Sequence, residues 1–172
     1  MVKLLGALLV ILAGTGIGFK ASDNLCQQQD MLKKLKKMII LLRGEIKYNN
    51  TYISQAFENV SDKIAAPYKG FLLYLAARLD ENCGKPFSQL WREAVEVKLK
   101  DCGLVKHQLQ KICELGDILG FLDKEMQLAA FDLFTEQLEA MLEENSLKMK
   151  DNSRLYKCLG FMGGILVVLV IT

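Results

Sequence analysis

The sequence predicts an all-α protein: a helical bundle of about six helices between an N-terminal and a C-terminal transmembrane helix, with the first and last helices forming an antiparallel stalk. Three observations lead there. The chain holds only two prolines, Pro67 and Pro86, and no strand-like alternation of useful length. Its apolar residues recur at helical spacing through the middle. Its two ends are apolar and uncharged, while its middle carries nearly all the charge.

The ends come first. Neither Leu4 to Phe19 nor Cys158 to Ile171 contains a charged residue. A membrane helix needs roughly 17 to 25 mostly apolar residues, so both runs sit at or just below the lower bound. Tyr156 and Lys157 suit the interface and extend the second run. The expected organisation is a transmembrane helix over 1–19, a helical domain over 20–157 and a transmembrane helix over 158–172. A cleaved leader is the rival reading of the first run. Gly18-Phe19-Lys20-Ala21 is a poor cleavage site for it, and the chain continues as helix without a polar break.

Orientation follows from the bases beside the two runs. Lys20, Lys33, Lys34, Lys36 and Lys37 follow the first, and Lys148, Lys150, Arg154 and Lys157 precede the second. Only Lys3 lies on the far side. The excess of bases places the central domain in the cytoplasm. All 20 acidic residues and all but one of the 22 basic residues lie in that domain, so it is near neutral. Such a balance gives no electrostatic case for nucleic acid. The five cysteines are odd in number and form no C-x-x-C pair, which suits a reducing compartment and buried free thiols.

The soluble helices follow in order. Leu25, Leu32, Leu35, Ile39, Leu42 and Ile46 step by sevens, threes and fours, a heptad seam. Asn49-Asn50-Thr51 ends that helix, and Thr51 offers the next N-cap. The second helix carries Tyr52, Phe57, Val60 and Ile64 and is expected to end near Pro67. The third runs from about Tyr68 to Asp80, and Asn82 to Gly84 is a turn. Pro86 suits the first turn of a fourth helix through Leu90, Trp91, Val95 and Leu99, stopped by Gly103. The fifth spans about Val105 to Leu119, with Gly120 as a left-handed cap. Asp123 then caps a long last helix whose apolar positions include Leu128, Phe131, Leu138, Leu142, Met149 and Tyr156. Asn145 and Asn152 interrupt its seam.

From Lys33 to Lys47 the first helix is basic, and from Glu125 to Glu144 the last is acidic. At ~1.5 Å per residue, Lys37 and Glu144 lie roughly 20 to 27 Å beyond the apolar runs, so the two helices are expected to pair antiparallel at matched height. On that register Lys36 falls near Glu143. Two solvated charged faces are the alternative. Each apolar run also carries a G-x-x-x-G, Gly14 with Gly18 and Gly160 with Gly164. These small residues either pack membrane helices closely or reflect the frequency of glycine in such helices.

Catalytic chemistry is not apparent. There is no phosphate loop, no G-x-S-x-G, no H-E-x-x-H and no glycine-rich dinucleotide turn. His107 is the single histidine, with no evident nucleophile or metal partner, and reads as a surface or interface residue. No catalytic residue, metal, cofactor or small-molecule substrate is expected.

Three segments carry a family resemblance. Leu42-Arg43-Gly44-Glu45-Ile46-Lys47-Tyr48-Asn49-Asn50-Thr51 resembles the L-R-x-E-I-x-Y-x-x-T signature of the stage III sporulation protein AB family. Leu115-Gly116-Asp117-Ile118-Leu119-Gly120-Phe121-Leu122-Asp123-Lys124-Glu125-Met126-Gln127 is similar to its L-G-x-x-L-G-x-x-D-x-x-x-Q segment. Tyr156-Lys157-Cys158-Leu159-Gly160-Phe161-Met162-Gly163-Gly164 resembles its closing Y-x-x-L-G-x-x-x-G. The five cysteines are not expected of the family.

The resemblance implies a non-enzymatic subunit of a channel-like sporulation complex in the mother-cell membrane around the forespore. It implies other subunits of that complex, including its cytoplasmic ATPase, as partners. The family's helical domain is similar to the cytoplasmic domains of the type II secretion F-type platform protein, so coupling of the ATPase to the membrane parts follows by analogy. A platform subunit of a type II secretion or type IV pilus-like machine outside sporulation is the alternative. Platform proteins usually repeat this domain, and no internal repeat is present here. Arg43, Glu45, Tyr48, Gly120, Asp123 and Gln127 are the candidate partner-binding residues, brought together if the first and last helices pair. Their other reading is mechanical: Thr51 and Asp123 as N-caps, Gly120 as a C-cap, and Arg43 and Glu45 as local ion pairs.

Overall fold

A computed structural model of the 172-residue chain describes the backbone of residues 2–48, 53–81, 84–120 and 123–171, and the side chains of 23–48, 53–81, 84–120 and 123–151. Six helices and no strand occur among the described residues. They are α1 (Val2–Tyr48), α2 (Ile53–Ser61), α3 (Tyr68–Asp80), α4 (Phe87–Lys98), α5 (Lys106–Leu119) and α6 (Lys124–Ile171). The chain divides into two compact units, Met1–Gln29 with Glu143–Thr172, and Asp30–Leu142. Among the described residues no helix is long and apolar enough to cross a membrane. The side chains of the apolar runs 4–19 and 158–171, including the positions of Gly14, Gly18, Gly160 and Gly164, lie outside the described set.

The unit Asp30–Leu142 holds the core. Leu32, Leu35, Ile39 and Leu42 of α1 are fully buried, as their heptad spacing requires. They meet Phe57 and Val60 of α2, Phe71 and Leu75 of α3, Ile112 and Leu115 of α5, and Phe131 and Leu138 of α6. Burying each such side chain contributes ~1.5–3 kcal/mol. Tyr68 is also fully buried and donates its hydroxyl to the Met31 carbonyl oxygen at 3.1 Å.

Trp91 anchors the centre. It stands edge-on to Phe71, ring centroids 5.0 Å apart, and beside Phe87 at 5.6 Å. Its Nε1 donates to the Ile112 carbonyl oxygen at 2.8 Å. Gly116, one turn further along α5, makes room for the indole: a Cβ there would lie 2.1 Å from Trp91 Cδ1.

In the unit containing both chain ends, Asn145 is buried, only 4% exposed. Its amide donates to the Leu25 carbonyl oxygen at 3.1 Å and to Gln29 Oε1 at 2.9 Å. The interruption in the seam is thus a hydrogen-bonded cross-tie between α1 and α6. A polar residue of this kind specifies register.

Several boundaries differ from expectation. α2 stops at Ser61, short of Pro67, leaving Ile64 off the helix. Ser61 Oγ turns back to the Glu58 carbonyl oxygen at 2.8 Å, and Lys63 N donates to the Val60 carbonyl oxygen at 2.9 Å, closing a tight turn. Pro86 caps α4 with extended backbone rather than lying in its first turn, and α4 ends at Lys98, before Gly103. Gly120 is not left-handed: its φ is −69° and its ψ −16°. It lies close against the start of α4, where a Cβ would meet Phe87 Cβ at 3.4 Å. The left-handed glycines are Gly84 (φ 66°) and Gly103 (φ 94°), both in turns where L side chains are strained.

Candidate functional site

The last turns of α1 and the first turns of α6 run antiparallel and are tied by charge. Lys36 Nζ donates to Glu139 Oε1 at 2.6 Å. Seven residues on, Arg43 Nη2 donates to Asp132 Oδ2 at 2.9 Å, and its Nε lies 2.6 Å from Oδ1. Seven residues forward on α1 match seven backward on α6, so the two helices hold one register. Lys36 faces Glu139, one turn from the expected Glu143, because core packing of Phe131, Phe134 and Leu138 sets the register and the charges adapt to it. The neighbouring Asp132 carboxylate raises the Arg43 pKa above its ordinary value.

Arg43 and Glu45 do not pair with each other. Two residues apart on a helix, they point to different sides. Glu45 is 7% exposed and faces inward. It accepts from Lys63 Nζ at 2.7 Å and from Asn59 Nδ2 at 3.4 Å. It therefore ties α1 to α2 and to the turn that follows. Lys63 was not legible as its partner, because no fixed spacing links a helix to a distant turn.

Tyr48 ends α1 with 76% of its surface exposed, and Lys47 lies over its ring at 5.2 Å. Asp123 caps α6: its Oδ1 accepts from Met126 N at 2.9 Å. Gln127 Nε2 donates to the Leu119 carbonyl oxygen at 3.2 Å, satisfying an acceptor at the end of α5. Thr51, the other expected cap, lies outside the described residues.

These termini enclose a cleft of about 430 Å³. Ile46 of α1 and Ile53 of α2 line one side. Leu79 of α3 and Phe87 of α4 supply further apolar wall, and Leu119, Gly120, Lys124 and Gln127 complete it. All six helices contribute a residue from a terminal turn. Gly120 and Gln127 thus stand with the residue after Glu45, as the pairing of first and last helices implied. The apolar contributors from α2, α3 and α4 were missed, their one signal being an apolar residue beside a helix end.

Other polar groups serve the scaffold. Arg92 Nε donates to Asp117 Oδ1 at 2.9 Å, joining α4 to α5. Glu93 accepts from Lys85 at 2.6 Å, which lowers its pKa below the ordinary 4.5. Among the described residues no group of histidine, cysteine or carboxylate side chains could hold a metal ion. The thiols are not uniformly buried: Cys26 is exposed, and Cys102 and Cys113 are partly buried. Burial raises the pKa of both Cys102 and Cys113, which leaves them poor nucleophiles.

The fold and this end define a class: an all-helical protein whose helix termini converge on an open apolar cleft flanked by ion pairs. A family model described as stage III sporulation protein AB matches residues 3–172, and the chain belongs to that family. It is 24% identical over 171 residues to stage III sporulation protein AB of Bacillus subtilis (strain 168), covering 99% of each chain. A solved structure of stage III sporulation protein AB superposes with a TM-score of 0.66 at 18% identity, covering 72% of this chain and 97% of that one. That likeness shows the shared helical fold. These relatives are named for sporulation and not for a catalysed reaction.

Proposed function

We propose that this chain is a non-enzymatic membrane subunit of the sporulation complex that spans the envelope between mother cell and forespore. Helices 1–19 and 158–172 anchor it in the mother-cell membrane around the forespore, packing through Gly14, Gly18, Gly160 and Gly164. The domain 20–157 faces the cytoplasm and couples the complex's secretion-type ATPase to its membrane parts. The observation that carries this reading is the family match along the chain, residues 3–172. The same match favours a sporulation complex over a secretion or pilus platform.

The cleft end is the docking surface. Tyr48, Gly120 and Asp123 are exposed there, and Gln127 lines the wall. Arg43 and Glu45 act from beneath, holding α1 against α6 and α2. Tyr48 is the side chain to change, since it is exposed and outside the core. Fragment 20–157 should retain the ATPase on co-purification, and Tyr48→Ala should release it with an unchanged helical circular-dichroism spectrum. A folded fragment that retains no ATPase would remove the coupling role.

A further inference from the structure

Besides the seams that face the core, α1 and α6 each carry a second seam on the outer side. On α1 it comprises Lys33, Lys37, Ile40, Gly44 and Lys47, at steps of four, three, four and three. The three lysines are exposed, and Ile40 keeps 50% of its surface in solvent. A Cβ at Gly44 would meet nothing within 4 Å, so packing within the domain does not require this helix-weakening glycine.

On α6, taken against the chain direction, the seam comprises Ala140, Glu136, Leu133, Ala129 and Met126. All five are exposed, Leu133 at 54% and Met126 at 55%. The steps are again four, three, four and three, in the opposite direction. This is heptad spacing, the pattern of helices that meet a partner. Lys33, Lys37 and Glu136 make no ion pair among the described residues, unlike Lys36 with Glu139 and Arg43 with Asp132.

We propose that two copies of this chain associate side by side through these outer seams, α1 of one against α6 of the other. Lys37 then meets Glu136 of the second copy, Ile40 meets its Leu133, and Gly44 meets its Ala129, small against small. The level is already set within each domain, where Lys36 faces Glu139. Placing Lys37 opposite Glu136 departs from that level by two residues, ~3 Å along the helix. Copies pointing the same way about a two-fold axis along the helices keep that level, and the reach of the lysine and glutamate side chains takes up the ~3 Å. Because α1 and α6 are neighbours, one two-fold axis satisfies both seams at once. The dimer rests on the geometry of the unit Asp30–Leu142 and not on ATPase docking, so failure of that docking leaves it standing.

The test is the molar mass of the full chain in detergent by light scattering, for wild type, Lys37→Glu and Glu136→Lys. Wild type should have twice the chain mass. Each variant alone should have the chain mass, since it sets like charges against each other. An equimolar mixture of the two variants should return to the doubled mass, because both contacts then pair opposite charges, and this recovery shows that both variants are folded. A monomeric wild type, a variant as dimeric as wild type, or a mixture that stays monomeric would each overturn the proposal.

Discussion

Replacing Gly116 with alanine tests the packing around Trp91 most sharply. At an open helical position, alanine for glycine stabilises by about 0.5–1 kcal/mol. Gly116 is not open: the new Cβ would lie 2.1 Å from Trp91 Cδ1 and 2.2 Å from Cγ. Carbon atoms in contact sit ~3.5–4.0 Å apart, so the indole would have to retreat by more than ~1 Å. It is hemmed in by Phe57, Phe71 and Phe87, with ring centroids at 6.3, 5.0 and 5.6 Å. Overpacking of this kind typically costs ~1–3 kcal/mol, and breaking the Nε1 bond to Ile112 adds ~1 kcal/mol. After the gain in helix propensity, the expected loss is on the order of 1–3 kcal/mol. Trp91 is the chain's single tryptophan, so its emission reports this site alone. Gly116→Ala should lower the thermal midpoint and shift the emission to the red. Gly70 in α3 is the control, because a Cβ there meets nothing within 4 Å, and Gly70→Ala should hold or raise the midpoint. An unshifted emission with an unchanged or higher midpoint for Gly116→Ala would refute the packing argument.

Two further perturbations probe single contacts. Burial raises the Tyr68 pKa above its ordinary 10.0, so its contribution to stability is full below that pH and is lost as pH rises through the folded value. Tyr68 should ionise last in an ultraviolet titration, together with unfolding. Tyr68→Phe should move alkaline unfolding to higher pH while costing ~0.5–1.5 kcal/mol at neutral pH through the lost bond to Met31. Asp123→Ala removes the acceptor for Met126 N and should cost ~1 kcal/mol in denaturant melts, with Asp123→Asn restoring most of it.

Much of the architecture was legible because helix signals are local. The heptad of Leu32, Leu35, Ile39 and Leu42 marked the inner face of α1, and all four are buried. Tyr68 and Asp80 bound α3 as expected, and Asp123 caps α6 through its own backbone neighbourhood. The end of α2 was less legible, since proline marks where a helix cannot continue but not where a turn begins. Gly120 shows the same limit. Glycine after a helix suggests a left-handed cap, yet here the residue lies against Phe87, a contact that depends on how α4 meets α5.

Spacing along one helix sets which residues share a face, so the seams, the basic stretch of α1 and the acidic stretch of α6 followed from the sequence alone. Family membership followed in the same way, from motifs in order along the chain. The partner across a gap is different, since it depends on how neighbouring helices slide against each other. Packing of Phe131, Phe134 and Leu138 placed Lys36 opposite Glu139 instead of Glu143. The fold also brought Lys63 to the buried Glu45, and Trp91 into the space left by Gly116. It gathered residues from all six helices around one cleft. Each of these pairs residues distant in sequence, and only close packing in three dimensions selects them.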